Sequence, residues 1–275
     1  MKKSFTTLSL ISAALLFTTS CKKSSTKTDP TPTYTIPTTY NFANVNYSDA
    51  SIRLSMANEM AALMASATTG PVDGQRLLNM FTNTNSPFAS AASNTSGLQL
   101  KDQCFTQLQT DIPNFIDSIV MVSNSKQPAS RGVAGIGASS VTPTSLYPQT
   151  ATGVNYAQVF KKSIMGGLIC YEIVNNYMVN GIGSSVDNST VITGSGTAME
   201  HNWDLAFGYW GVPVNFPTSK TGVLFWGSYT TQIDSGYHAN MILMNAFLKA
   251  GQLSLIKTCL PHKHRPLSLC KLLKG

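Results

Sequence analysis

Apolar residues return at steps of three and four along most of this chain, a period that belongs to helices. In residues 49–66, Ile52, Met56, Met60, Leu63 and Met64 fall on one face behind a capping Ser48 or Asp49. Residues 74–81 form a shorter helix and residues 101–122 a longer one, broken or bent at Pro113. Residues 155–178 are strongly apolar, and their Gly166-Gly167 pair marks a kink, a close helix crossing or a plain weak spot. Two long polar stretches, 125–153 and 181–196, interrupt the pattern as loops. Short strands have room at 191–192 and 223–226, but no alternation runs long enough for a sheet. The expected fold is mainly α, an irregular helical bundle over residues 40–256, a length suited to one domain.

The segment ahead of that domain reads as an address. Lys2 and Lys3 precede an apolar run at 8–17, too short to span a hydrocarbon core of about 30 Å. Residues 1–20 are therefore expected to be a signal peptide. Thr18-Thr19-Ser20 leads into Cys21, as lipoprotein processing requires, although Thr18 stands where Leu or Val is usual. Cys21 is the expected lipidation site, and the membrane, reached through that lipid, the expected partner. Residues 21–39, rich in Ser, Thr, Lys and Pro, form a semi-stiff tether. The absence of acid between Cys21 and Asp29 points to the periplasmic face of the outer membrane within the cell envelope.

The formal charge of +7 suggests nucleic acid only until it is divided along the chain. Two lysines lie in the signal peptide and five basic residues lie beyond Ile256, where there is no acid. The remaining twelve basic residues face twelve acidic ones, so the body is neutral and no nucleic-acid partner is expected. Cys104 and Cys170 are the only cysteines between Cys21 and the tail, a disulfide or two buried thiols. The tail at 257–275 reads as an anomalous basic segment, the product of a truncation or a shifted frame, with further helices missing. Their loss is expected to expose Met241, Leu243, Phe247 and Leu248 and to lower solubility.

One segment offers chemistry. As a helix, residues 197–211 bury Met199, Trp203, Ala206, Phe207 and Trp210 and set Glu200 and Asp204 on one flank, with His201 one step round. With His238, expected to start the next helix, these groups form a candidate site for iron or another divalent metal. Glu200 and Asp204 are equally suited to first-turn charges, and His201 to an ordinary half-buried histidine. A second reading uses Trp203, Trp210 and Trp226 as rings that stack on a glycan or peptide, although such rings belong more often to a core. A metallopeptidase, with Glu200 as base, is a third, and no HExxH or GxSxG accompanies it. Whether the chain is an enzyme is left open, with the weight on binding.

At this segment the chain resembles the Bacteroidetes lipoproteins grouped as domain of unknown function 4856. The matching stretches include residues 34–46 (YTIPTTYNFANVN), 83–88 (NTNSPF), 197–218 (TAMEHNWDLAFGYWGVPVNFPT) and 244–249 (MNAFLK). The family pattern reads Glu-His-His-Trp-Asp-Glu, so Asn202 and Leu205 stand here where a second His and Glu would be. The resemblance implies a helical lipoprotein. A more distant likeness to imelysins, whose Gly-x-His-x-x-Glu motif is absent here, implies binding of iron, haem or another metal complex.

Overall fold

The computed structural model describes residues 35–125 and 127–255. Cys21, the expected signal peptide, most of the expected tether and the basic tail lie outside them. Within the described residues the fold is mainly α, as the apolar period requires.

Helix α1 (Ser48–Ala65) begins at Tyr47, which lends no side-chain cap. The expected cap, Ser48, instead donates to Asn46 Oδ1 through its N–H (3.2 Å) and hydroxyl (2.9 Å), and Asp49 sits in the first turn. Met56, Met60 and Met64 are fully buried, Ile52 and Leu63 border them, and Arg53 is buried among them. Helix α2 (Gly74–Thr82) is capped by Asp73, which accepts from the Arg76 N–H at 3.0 Å. A single-turn helix α3 (Ala91–Thr95) follows, capped by Ser90.

Residues 101–122 do not run as one helix. Lys101–Gln103 is a 3-10 turn, Cys104 and Phe105 are extended, and α4 (Thr106–Ser123) then passes through Pro113. The interruption falls where the Phe105 N–H donates to the Gly167 carbonyl at 2.7 Å, a cross-element bond that helical backbone could not make. The loop at 125–153 also departs from expectation, because it holds a hairpin of β1 (Gly135–Ala138) and β2 (Leu146–Gln149). Four residues a strand is too short for alternation to be read. Of the other strand positions, Ile192 makes only an isolated bridge to Gly196, and Phe225 opens a helix.

Helix α5 (Tyr156–Ile164) continues into two π-helical runs, Met165–Cys170 and Glu172–Val179. A Cβ on Gly167 would lie 2.6 Å from Leu108 Cδ2, whereas one on Gly166 meets open space. Gly167 therefore marks a close crossing with α4. Helices α6 (Ala198–Trp210), α7 (Phe225–Tyr237) and α8 (Ala239–Leu255) complete the bundle. His238 stands at the corner where α8 begins: it closes α7 with φ 50°, its carbonyl accepts from the Ile242 N–H at 3.1 Å, and its side chain is exposed.

Two packed clusters result. One joins α1, α2, α4, α5 and the first π-helical run to one side of α6, and the other joins the opposite side of α6 and α8 to the leading segment at Tyr40. Phe247 and Leu248 are buried in the second, against the expectation that they face water, while Met241 is 50% exposed. No described helix is long and apolar enough to cross a membrane. Cys104 and Cys170 are free thiols, the first buried and the second exposed.

Candidate functional site

Helix α6 is fixed at both ends by its own sequence. Thr197 caps it in a reciprocal box: the Glu200 N–H donates to Thr197 Oγ1 at 3.2 Å, and the Thr197 N–H donates to Glu200 Oε2 at 2.7 Å. Gly211 ends it with φ 79°. Between these ends, Trp203 to Trp210 are buried on every side, so α6 is a central helix and not a one-faced one. Met199 alone of the expected stripe is only half-buried.

Asp204 lies in this interior. Its Oδ1 accepts from the Tyr40 hydroxyl at 2.8 Å and its Oδ2 from the Asn46 N–H at 2.9 Å. The Tyr40 ring stacks on Phe207 with centroids 3.7 Å apart, and its backbone N–H donates to the Val214 carbonyl at 2.8 Å. Residues 40–46 thus form a strap laid along α6 and held by one carboxylate. Burial raises the Asp204 pKa to about 7; the bonds from Asn46 and Tyr40 oppose the rise without cancelling it.

The four expected metal ligands do not converge. Glu200 is turned to the cap, Asp204 to the strap, His201 is half-buried on the helix flank, and His238 is exposed at the α7–α8 corner. Among the described residues no three of His, Cys, Asp and Glu are grouped to hold a metal ion. Glu200 Oε1 and His201 Nδ1 are nevertheless buried atoms without a hydrogen-bond partner. Asn202 and Leu205, the two departures from the pattern the resemblance implies, have packing roles: Asn202 donates to the Gly181 carbonyl at 3.0 Å, and Leu205 is buried in the first cluster.

The three tryptophans do not form a stacking platform. Trp203 and Trp210 are each 3% exposed; Trp210 stacks on Phe247, the Trp203 ring lies tilted against it at 48°, and the Trp203 indole donates to the Phe247 carbonyl at 3.1 Å. Trp226 is half-buried and donates to the Met165 carbonyl at 2.9 Å. Two of the three rings are core.

A second polar centre was not anticipated from the sequence. Glu172, 1% exposed, sits in the second π-helical run and accepts from Asn176 Nδ2 at 2.6 Å and from the Tyr177 hydroxyl. Gln103, with its amide nitrogen turned to the carboxylate, donates to both oxygens at 2.9 and 2.8 Å. Burial raises the Glu172 pKa, and the charge of buried Arg53 works against that rise. Burial with nearby Asp102 and Glu172 pushes the Cys104 thiol up to about 12, so it is inert at neutral pH. An acid inside an apolar run was the only signal for Glu172, and its partners come from three separate segments. Every bond it accepts is internal to the protein, which suits a rigid interior post.

A family described as Domain of unknown function (DUF4856) matches residues 37–259. The chain belongs to that family. The match begins with the strap and includes all of α6, so the contact between Asp204 and Tyr40 lies wholly inside the DUF4856 domain. No curated protein and no solved structure matches the chain.

Proposed function

We propose that this DUF4856 chain is a lipid-anchored protein of the cell envelope whose helical domain is a binding module, not an enzyme. The observation that carries the reading is the use of the two carboxylates in the Glu-His-x-Trp-Asp block. Glu200 closes a helix cap and Asp204 holds the strap, so the groups best suited to acid–base or metal chemistry serve the architecture. The signal-like segment and Cys21 supply the address. Metabolic labelling with a palmitate analogue, followed by membrane fractionation, tests the anchor. Label and membrane association should both vanish in Cys21→Ala; label that survives the substitution would overturn it. Chelator-sensitive cleavage of a peptide library, lost in Glu200→Gln, would contradict the non-enzymatic half.

A second reading keeps a metal complex as ligand, supported by the unpartnered Glu200 Oε1 and His201 Nδ1 on adjacent residues. It is narrower than the four-residue set, because Asp204 and His238 lie outside it. Calorimetric titration with ferric and divalent ions tests it. Stoichiometric uptake abolished by His201→Ala and kept in Asp204→Asn supports it; uptake indifferent to His201 removes it.

A further inference from the structure

The groove between α2 and α4 holds a cavity of about 300 Å³, at the small end of ligand pockets, which run from about 300 to 1,000 Å³. Its lining combines the amide residues Gln75, Asn79 and Gln109 with Phe81, Pro113 and Lys101. No carboxylate, histidine or cysteine lines it.

Each amide makes a hydrogen bond within the protein. Gln75 Nε2 donates to Asn79 Oδ1 at 3.1 Å and the Thr84 hydroxyl donates to the same oxygen at 3.2 Å, which leaves the Asn79 N–H pair and Gln75 Oε1 to a ligand. Gln109 Nε2 donates to the Cys104 carbonyl at 3.0 Å, leaving its Oε1. Pro113 has no N–H to offer the Gln109 carbonyl four residues earlier, so the helix itself lacks a donor for that oxygen. The groove therefore sets amide donors beside several acceptors around a proline face, with only one formal charge.

We infer that this groove binds a single monosaccharide unit. Sugar hydroxyls donate and accept at once, which answers a wall of alternating amide N–H and C=O groups. The ring's C–H face packs on Pro113. A bare cation finds neutral amides where it would need carboxylates, and a large apolar ligand would strand the amides without partners. Lys101 adds a contact for the carboxylate of a uronic acid. The inference rests on the reading of the domain as a binding module, but not on its anchor.

Saturation-transfer NMR on the full chain in detergent, with glucose, galactose, N-acetylglucosamine, glucuronate and galacturonate as probes, tests it. At least one sugar should show transfer, weakened about tenfold by Asn79→Asp, which keeps the acceptor and deletes the donors. Pro113→Ala, which returns a donor to the Gln109 carbonyl and removes the ring face, should weaken binding without lowering Tm. If Asn79→Asp does not fold, Pro113→Ala decides. No transfer from any of the five sugars, or transfer unchanged by the variant that decides, would overturn the proposal. A negative panel beside a palmitate-labelled Cys21 would leave the anchoring standing, and the reverse result would leave the groove standing.

Discussion

A carboxyl group sealed from water favours its proton, and for Asp204 this has a consequence in stability. Its pKa rises from 3.8 to about 7 on folding. Between those values the folded chain holds a proton that the unfolded chain has lost, so stability falls as pH rises from about 4 to about 7. A shift of this size corresponds to on the order of 4 kcal/mol. Thermal melts should therefore show a higher Tm at pH 5 than at pH 8, and Asp204→Asn should flatten much of that slope. The raised Glu172 pKa acts in the same direction, so some slope should survive in Asp204→Asn. An unchanged slope in the variant would show that Asp204 is not the titrating group. Asn240 presents the opposite case. It is fully buried, and neither its Oδ1 nor its Nδ2 has a partner. An unpaired buried amide costs about 1–3 kcal/mol, so Asn240→Leu should leave Tm unchanged or raise it; a fall of several degrees would reveal a partner the side chain needs.

At the scale of elements, the start of α1 packs against α6 at a glycine. A Cβ on Gly208 would lie 2.6 Å from Tyr47 Cβ and 2.9 Å from Ala50 Cβ, atoms too near their backbones to move aside. Gly208→Ala should cost about 1–3 kcal/mol in chemical denaturation, whereas Gly166→Ala, which meets nothing within 4 Å, should not. Equal effects from the two would contradict the packing. The helices themselves were legible because their apolar period is long: α1, α2 and α6 stand within two residues of their expected bounds. The break at Cys104–Phe105 was not, because it depends on a bond to Gly167 from another segment. The π-helical runs were equally hidden, since an α and a π period differ little over so few turns. Even the caps divided along this line. The box at Thr197 and Glu200 is local, and carboxylates in a first turn were an open reading of the sequence. The start of α1 depends instead on Asn46, which the strap positions through Asp204.

For the whole molecule, the same division explains the candidate site. Residue types on α6 suggested ligands, but what those residues touch is set by chain far away: Asp204 meets Tyr40 across 164 residues, and Trp203 meets Phe247 across 44. The Glu-His-x-Trp-Asp block is therefore the place where the leading strap, the central helix and the last described helix are joined. The account stands on that joint. A double-mutant cycle of Tyr40→Phe and Asp204→Asn, read by denaturant unfolding at pH 8 where Asp204 is ionised, measures it most directly. The account predicts a coupling energy above about 1 kcal/mol. Additivity of the two substitutions within about 0.3 kcal/mol would contradict it.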